Sequence, residues 1–331
     1  MKIREINKNS EIIKYLSLGT SMPVWRSLRE FIKYDFEIFN PKLLLLLENG
    51  YPSGIVLIFI QKNILYFGYF KVMNDREEKI DFLINQINQY ARKYQCNLIR
   101  GPINIPVIIY GWGFMESGSQ DSLCSTKPVN SKGYLIRFLD NNYKITSRHL
   151  TWETFPARYF DPMDLQKYSY KDYRYFNPLS RNEFLELKKD FIMLQHKNLP
   201  DSAQITPNSS QMVENYFDFI MKFGHLSMVF FVEYIPDNKN VACGAFIPDP
   251  FRKDEKGNND SFCIYSWVVD KAHRRKGLLN LMYGNTILQI WEKGMRNCFG
   301  TIAESNYNST MAAKRLYGEK TRSHVILEKK V

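Results

Sequence analysis

The chain has 331 residues, of which 44% are apolar and 15% are aromatic. This length suits two domains of similar size, and the aromatic content excludes general disorder. The longest apolar runs, at 43–47 and 54–60, are too short to span a bilayer as a helix. Residues 1–17 are charged and lack the apolar core of a secretory signal, so we expect a cytoplasmic protein.

The positive charge is concentrated near the C-terminus. Residues 1–160 hold 21 basic and 14 acidic residues without a basic block, and residues 161–270 hold 12 and 16. Residues 271–331 hold 12 basic and 4 acidic residues. A basic segment after an acidic one suits a site where a polyanionic ligand meets a cationic acceptor, but a solvated surface of mixed charge would give the same numbers.

Cysteine and histidine positions do not predict a metal site. The five histidines form no His-Glu-x-x-His motif, and the five cysteines are scattered without a Cys-x-x-Cys pair. We expect reduced, mostly buried thiols and no metal. The cysteines are Cys96, Cys124, Cys243, Cys263 and Cys298.

The first half begins with a predicted sheet. Three apolar runs separated by turn residues predict consecutive antiparallel strands, at 43–47, 54–60 and 64–73. Helical spacing of apolar residues predicts a helix over 77–93, and a short strand follows at Asn97–Arg100. Residues 101–160 are irregular and contain Gly101-Pro102-Ile103-Asn104. We interpret them as the connection between halves, with a strand over Tyr134–Leu139.

The second half repeats this order after two amphipathic helices. The helices are predicted at 181–198 and 210–223, and the strands at 227–234, 241–247 and 262–269, with a solvated charged loop at 252–260. A helix over 277–294 and strands at 298–304 and Ser323–Glu328 complete it. Strand 64–73, helix 77–93 and strand 97–100 therefore have counterparts at 262–269, 277–294 and 298–304.

The two copies differ in the turn from strand to helix. The first turn, Asn74–Glu77, is acidic, whereas the second, Asp270–Gly277, contains four basic residues and ends in glycine. Unpaired N–H groups at a helix start, the helix dipole and nearby basic side chains all favour a phosphate. The alternative is a solvated basic turn that starts an ordinary helix.

The segment WVVDKAHRRKGLLNLM, residues 267–282, resembles the GNAT superfamily of N-acetyltransferases. The diagnostic element of that family is an apolar strand followed by Arg/Gln-x-x-Gly-x-Gly/Ala opening a helix. Arg274 and Gly277 match, and Leu279 replaces the final small residue. The resemblance covers about 227–331, where residues 306–320 continue the family's order of elements.

The resemblance implies an α+β, tandem GNAT-like acyl-CoA N-acyltransferase fold with mostly antiparallel mixed central sheets flanked by helices. Residues 1–160 would form a degenerate GNAT-like domain plus the connection, without a cofactor site. Residues 161–331 would form the acetyltransferase domain that binds acetyl-CoA or a longer acyl-CoA.

Cofactor-binding residues are implied by position in the family motif. Backbone groups of Trp267, Val268 and Val269 would bind pantetheine like an added strand, and Asn308 would contact it unless it caps a helix. Arg274 or Lys271 would reach the outer phosphate. The backbone N–H groups facing the pyrophosphate would be those of Arg275, Lys276, Gly277, Leu278 and Leu279.

Acyl transfer to an amine needs a polarised thioester carbonyl, a neutral amine and a proton for the departing thiolate. By position, the resemblance assigns the first role to the Val269 N–H. Tyr317 would be the acid if Ala313-x-x-Leu316-Tyr317 is the family's pattern; if Asn308 anchors the alignment instead, Arg315 takes the tyrosine's position. Glu304 would be the base, with an exposed strand-end carboxylate as the alternative.

These features predict an acyl-CoA-dependent N-acyltransferase acting by direct attack of a small-molecule amine. One alternative is a non-catalytic acyl-CoA-binding protein, consistent with Leu279 and the two alignments of Tyr317. The other is an aminoacyl-tRNA-dependent transferase, since tandem GNAT-like halves also occur there. The diffuse charge of residues 1–160 disfavours nucleic acid. We expect no membrane partner.

Overall fold

The computed structural model describes residues 1–19, 29–105, 110–118, 128–154, 171–198, 210–249 and 252–331. These residues form thirteen strands and nine α-helices. The strands are β1 (Lys2–Ile6), β2 (Lys42–Glu48), β3 (Tyr51–Gln61), β4 (Ile64–Val72), β5 (Leu98–Gly101), β6 (Phe114–Gly118), β7 (Lys144–Thr154), β8 (Tyr173–Phe176), β9 (Val229–Tyr234), β10 (Lys239–Pro248), β11 (Ser261–Val269), β12 (Arg296–Ala303) and β13 (Glu319–Lys330). The helices are α1 (Asn9–Tyr15), α2 (Arg29–Phe39), α3 (Glu77–Lys93), α4 (Lys132–Asp140), α5 (Arg181–Glu186), α6 (Lys188–Asn198), α7 (Ser210–Phe223), α8 (Leu278–Glu292) and α9 (Tyr307–Arg315).

The chain folds into two compact units. The N-terminal unit consists of residues 1–150, 301–305 and 321–331, and the C-terminal unit of residues 151–300 and 306–320. The chain therefore returns twice from the second unit to the first. The predicted domain boundary between 160 and 161 lies outside the described residues.

The N-terminal unit has a mixed sheet in the order β1-β2-β3-β4-β5-β13, and β6 also pairs with β13. The three predicted strands are confirmed as β2, β3 and β4, which pair antiparallel. Lys62 and Asn63 at the second hairpin both have positive φ, of 48° and 60°, as a tight turn between twisted strands requires. β4 and β5 are parallel, as a strand-helix-strand connection requires.

Helix α3 spans the predicted 77–93 and covers one face of this sheet. Its apolar stripe is fully buried because residues three and four apart share one helix face. The stripe consists of Ile80, Leu83, Ile84, Ile87 and Ala91.

The strand predicted over Tyr134–Leu139 is wrong, because these residues belong to helix α4. Tyr134 and Phe138 are buried, but Ile136 between them is 56% exposed, which fits the spacing of a helix and not the alternation of a strand. The Ser131 side chain accepts a hydrogen bond from the Gly133 N–H and caps the helix start.

The C-terminal unit has the strand order β12-β11-β10-β9-β8, in which β11 and β12 are parallel and the other pairs are antiparallel. Predicted helix 210–223 is confirmed as α7. The helix predicted over 181–198 is divided at Leu187 into α5 and α6. The parallel and antiparallel strand pairs and the helices of both units confirm the predicted mixed α+β class.

The last strand, predicted at Ser323–Glu328, is longer than expected. Most of it belongs to the N-terminal unit. β13 extends over Glu319–Lys330, and from Thr321 onward it groups with the N-terminal unit. It pairs antiparallel with β5 from Leu327 to Lys330 and with β6 from Arg322 to Val325. Sequence order placed this strand in the second half, but its Val325 and Leu327 are buried in the N-terminal core.

The loop at 252–260 is solvated only in part. Residues 253–258 are exposed, but Arg252 is buried and its Nη1 lies 2.5 Å from Glu153 Oε1. Pairing with a carboxylate explains why an arginine is tolerated there.

Four of the five cysteines are free and buried, as predicted, and Cys124 lies outside the described residues. Within the described ranges, no helix is long and apolar enough to cross a membrane.

Candidate functional site

The candidate site begins where β11 and β12 stop pairing. Their parallel register runs from Ser261↔Arg296 to Ile264↔Phe299. The antiparallel register between β10 and β11 skips Tyr265, which forms a bulge at the same point. The last residues of β11 therefore continue along β10 after the pairing with β12 has ended.

Backbone alternation decides which residues of β11 face this opening. The Asp270 N–H donates to Val241 O at 2.8 Å, so Asp270 is in a hydrogen-bonded pair with β10. Bonded and non-bonded pairs alternate along an antiparallel ladder. Val269, opposite Ala242, and Trp267, opposite Gly244, are therefore in non-hydrogen-bonded pairs. Their N–H and C=O groups point away from β10, whereas those of Val268 point towards it. Of the three predicted pantetheine-binding residues, Trp267 and Val269 thus present backbone groups to the opening.

The turn after β11 is closed by its own hydrogen bonds. The Asp270 carboxylate accepts from the Ala272 N–H at 3.0 Å, and residues 271–273 form one short 3-10 turn. Burial opposes ionisation of Asp270, but the Ala272 N–H and the charges of Lys197 and Lys239 outweigh burial, so its pKa lies below the ordinary value. The Asp270 carboxylate therefore fixes the start of the turn through its hydrogen bond to the Ala272 N–H.

The end of the turn needs glycine. Gly277 has φ +78° and immediately precedes helix α8, and Arg275 also has a positive φ of 64°. Glycine adopts this left-handed conformation without a steric penalty. In the part of the chain that the structure describes, no protein acceptor pairs with the N–H groups of Leu278 and Leu279. The first turn of α8 therefore offers unpaired donors and the positive end of its dipole.

Basic side chains surround this helix start. Lys271, Arg275 and Lys276 are exposed, and the Lys276 Nζ lies 5.8 Å from the centre of the Tyr234 ring. His273 Nδ1 lies 3.0 Å from the Tyr173 hydroxyl. Burial and the Lys276 charge lower the pKa of His273. The turn thus combines exposed cationic side chains with backbone donors, an arrangement that suits a polyphosphate.

Arg274 is engaged with the protein. Its Nε donates to Val269 O at 3.0 Å, and its Nη2 lies 3.4 Å from the Asn198 side-chain oxygen at the end of α6. The predicted role of Arg274 in reaching a phosphate stays a prediction, and the structure adds a second role of fixing the turn to the strand end. Sequence patterns contain no signal for Asn198, because nothing in the sequence places it beside residue 274.

The indole of Trp267 packs into an aromatic cluster. Its ring centre lies 4.9 Å from those of Phe230 and Phe246 and 4.5 Å from that of Tyr283 on α8. A side chain at Gly244, on β10, would meet this indole at 2.5 Å. The cluster fixes β11 against α8, and so it fixes the strand end relative to the helix start.

Helix α9 begins at Tyr307, two residues earlier than a cap at Asn308 would place it. The Asn306 side chain accepts from the Ser309 N–H at 3.2 Å and caps the helix. Asn308 lies inside the first turn and is exposed. The capping role considered for Asn308 is therefore wrong, and its contact with pantetheine stays a prediction.

Tyr317 follows α9 instead of lying on it, which corrects its expected position. Its N–H donates to Lys314 O and the Gly318 N–H donates to Ala313 O, which is the Schellman pattern of a helix end. Glycine usually occupies this position, but here Tyr317 has φ +54° and a 51% exposed side chain. A strained, exposed tyrosine suits a functional role, and the role as acid stays a prediction.

Glu304 belongs to the N-terminal unit. Its backbone N–H donates to Arg148 O at 2.8 Å, and its Oε2 lies 3.3 Å from Arg148 Nη1. Arg148 also forms a two-point contact with Glu116, at 2.7 and 2.8 Å. The carboxylate thus has a structural partner that the sequence did not indicate, and its role as a base stays a prediction.

No protein-family sequence model matches the chain, and no curated protein matches it in sequence. Solved structures do match it in fold. A tandem GNAT protein from the clavulanic acid biosynthesis pathway has a TM-score of 0.63 at 10% identity, and the match covers 99% of this chain and 98% of that one.

Two further structures agree. A GCN5-related glucosamine N-acetyltransferase region of a fungal multi-domain GH3 β-N-acetylglucosaminidase has a TM-score of 0.62 at 12% identity, over 99% of this chain and 38% of that chain. A GCN5-related N-acetyltransferase from Sphaerobacter thermophilus has a TM-score of 0.53 at 10% identity, over 99% and 95%.

The chain therefore has the tandem GNAT acetyltransferase fold, as the resemblance predicted. At these identities the similarity establishes the fold.

Proposed function

We propose that the C-terminal unit binds acetyl-CoA or a longer acyl-CoA and transfers the acyl group to the amine of a small-molecule acceptor. One observation carries this proposal. The outward-facing backbone of Trp267 and Val269 leads directly into a basic turn whose helix start has unpaired N–H groups. Pantetheine is an amide chain that pairs like a strand, and the pyrophosphate is an anion, so one acyl-CoA molecule satisfies both features.

The transfer step places the amine nitrogen on the thioester carbonyl carbon, and the carbon–sulfur bond breaks to release the CoA thiolate. The Val269 N–H would stabilise the oxyanion, because it faces the opening at the strand end. Tyr317 would donate the proton that the thiolate requires, and the amine would lose its proton to solvent. The aromatic packing around Trp267 holds the strand end in place during these steps.

The binding test uses calorimetry with acetyl-CoA, a longer acyl-CoA and free CoA. Gly277→Glu should abolish binding, since it places a side chain and a negative charge where the pyrophosphate would lie. Gly294→Glu is the matched control, because Gly294 also has a positive φ, at the other end of α8, and a side chain there would meet nothing within 4 Å. Equal affinity in the two variants would place the site elsewhere.

A non-catalytic acyl-CoA-binding protein is the second candidate, and Leu279, which stands in place of the family's final small residue, favours it. Turnover separates the two functions. Release of free CoA thiol with a panel of small amines would establish transfer, whereas tight binding without release would support the second candidate.

A further inference from the structure

The N-terminal unit contains a second strand opening of the same design. β4 and β5 pair in parallel from Ile64↔Leu98 to Tyr66↔Arg100, and no further pairs are formed between these two described strands. β4 then bulges against β3, where Tyr69 has φ +48°. A parallel pair that ends at a bulge is the arrangement found at β11 and β12 in the C-terminal unit.

This second opening is filled by the chain itself. The Ile103 N–H donates to Phe67 O at 2.7 Å, and the Asn104 Oδ1 accepts from the Tyr69 N–H at 2.7 Å. The Tyr69 hydroxyl donates to Ile105 O at 2.8 Å. Residues 101–105 therefore take the backbone bonds of β4 that an added strand would take.

The fit leaves no room for a second occupant. A methyl group on Gly68 would lie 2.0 Å from Ile103 O, and one on Gly101 would lie 2.4 Å from Phe67 O. Ile103, Ile105 and Tyr69 have no exposed surface. Contacts this close are tolerated only because both glycines lack a side chain.

The orientation of the Asn104 amide is fixed by its other bonds. Its Nδ2 donates to Tyr110 O at 2.9 Å, and its backbone N–H donates to Gly111 O at 3.0 Å. The amide oxygen is thereby directed at the Tyr69 N–H. The side chain is buried with every one of these groups paired, so it is a built element of the fold.

The strand end and the turn are also occupied from within. The Tyr134 hydroxyl accepts from the Val72 N–H at 3.0 Å and lies 3.1 Å from Val72 O, and it also contacts the Asp75 carboxylate. The following helix α3 has Glu77 and Glu78 in its first turn. These acidic residues repel an anion at the start of α3. In the C-terminal unit, the basic residues Arg275 and Lys276 precede the corresponding helix, α8.

We infer that residues 101–105, with Tyr134, act as a built-in ligand of the N-terminal unit. They occupy the strand opening and its turn, so this unit takes no acyl-CoA and the chain has one such site. Only the count of sites rests on the proposed function of the C-terminal unit, since the internal bonds are independent of it.

Amide hydrogen exchange tests the internal bonds in the whole protein without any ligand. The Tyr69 and Ile103 amides should exchange at least ~1000-fold more slowly than in an unstructured chain. Asn104→Ala should speed exchange at Tyr69 by at least ~10-fold. Asn97→Ala, which removes an exposed side chain just before β5, should leave it unchanged.

Tyr69→Phe provides a milder variant if Asn104→Ala does not fold, because it removes only the bond to Ile105 O. It should speed exchange across residues 103–105 without unfolding the unit. Exchange of the Tyr69 and Ile103 amides at the unstructured rate in the unmodified protein would overturn the proposal.

Calorimetry then counts the sites. One acetyl-CoA per chain, and none in Gly277→Glu, is the expected result. Two per chain, or binding that persists in Gly277→Glu and slows exchange at Tyr69, would overturn the inference. If acetyl-CoA does not bind at all while Tyr69 and Ile103 stay protected, the proposed function fails and the built-in ligand stands.

Discussion

Arg274 Nε donates a hydrogen bond to the carbonyl oxygen of Val269 at 3.0 Å, which ties the basic turn to the strand end that precedes it. The planar guanidinium reaches the Asn198 side chain at the same time. Lysine keeps the charge but lacks the planar fork that donates from Nε and Nη2 to two separate acceptors, so charge and geometry can be separated by substitution.

Arg274→Lys should weaken acetyl-CoA binding about tenfold, because it keeps the charge but loses the two-point contact. Asn198→Ala should weaken binding in the same direction although it removes no charge. Calorimetry at constant salt measures both, with Arg92→Lys on α3 as the control. Full affinity in Arg274→Lys would show that only charge matters at this position.

Tyr317 combines backbone strain with exposure, and two substitutions separate these properties. Tyr317→Phe keeps the strain and loses the hydroxyl, so kcat should fall about 100-fold with stability unchanged. Tyr317→Gly should raise the free energy of unfolding by about 1 kcal/mol, because glycine adopts φ +54° without strain. Steady-state kinetics and urea unfolding measure the two effects. A fully active Tyr317→Phe variant would favour the alignment anchored on Asn308.

The two asparagines at the start of α9 should behave differently. Asn306→Ala removes the helix cap and should cost about 1 kcal/mol of stability. Asn308→Ala should leave stability unchanged and weaken acyl-CoA binding. Thermal unfolding and calorimetry on both variants check this, and loss of stability in Asn308→Ala alone would contradict the observed cap.

His149 should make the N-terminal unit sensitive to acid. The side chain is 2% exposed, and burial lowers its pKa from 6.5 to about 4. The unfolded chain takes up a proton at this residue below pH of about 6.5, whereas the native state does so only near its lowered pKa. Stability is therefore full above that range and falls by about 3 kcal/mol as the pH drops towards 4.

Urea unfolding of the native protein and of His149→Gln between pH 7.5 and 4 measures this contribution. The difference in unfolding free energy between the two proteins should change with pH in that window. A constant difference would show that His149 is not the titrating group.

Local patterns predicted the parts of the fold that depend on nearby residues. Helix α3 and the end of β11 were located within one residue, because helical spacing and apolar runs are set by the burial of one face. The basic turn was found because its residues are contiguous. Asn198, Arg148 and the internal bonds of Asn104 were missed, since each joins residues far apart in sequence that only the tertiary fold brings together.

Strand β13 also determines when the sheet of the N-terminal unit can be completed during synthesis. β5, near residue 100, has its antiparallel partner at residues 327–330. The sheet of the unit that is synthesised first therefore cannot be completed until the entire C-terminal unit has been made. Contacts over so long a separation in sequence slow folding and leave strand edges exposed in the meantime. A fragment ending before residue 321 would contain the other elements of the N-terminal unit. It would lack the strand that completes the sheet of that unit.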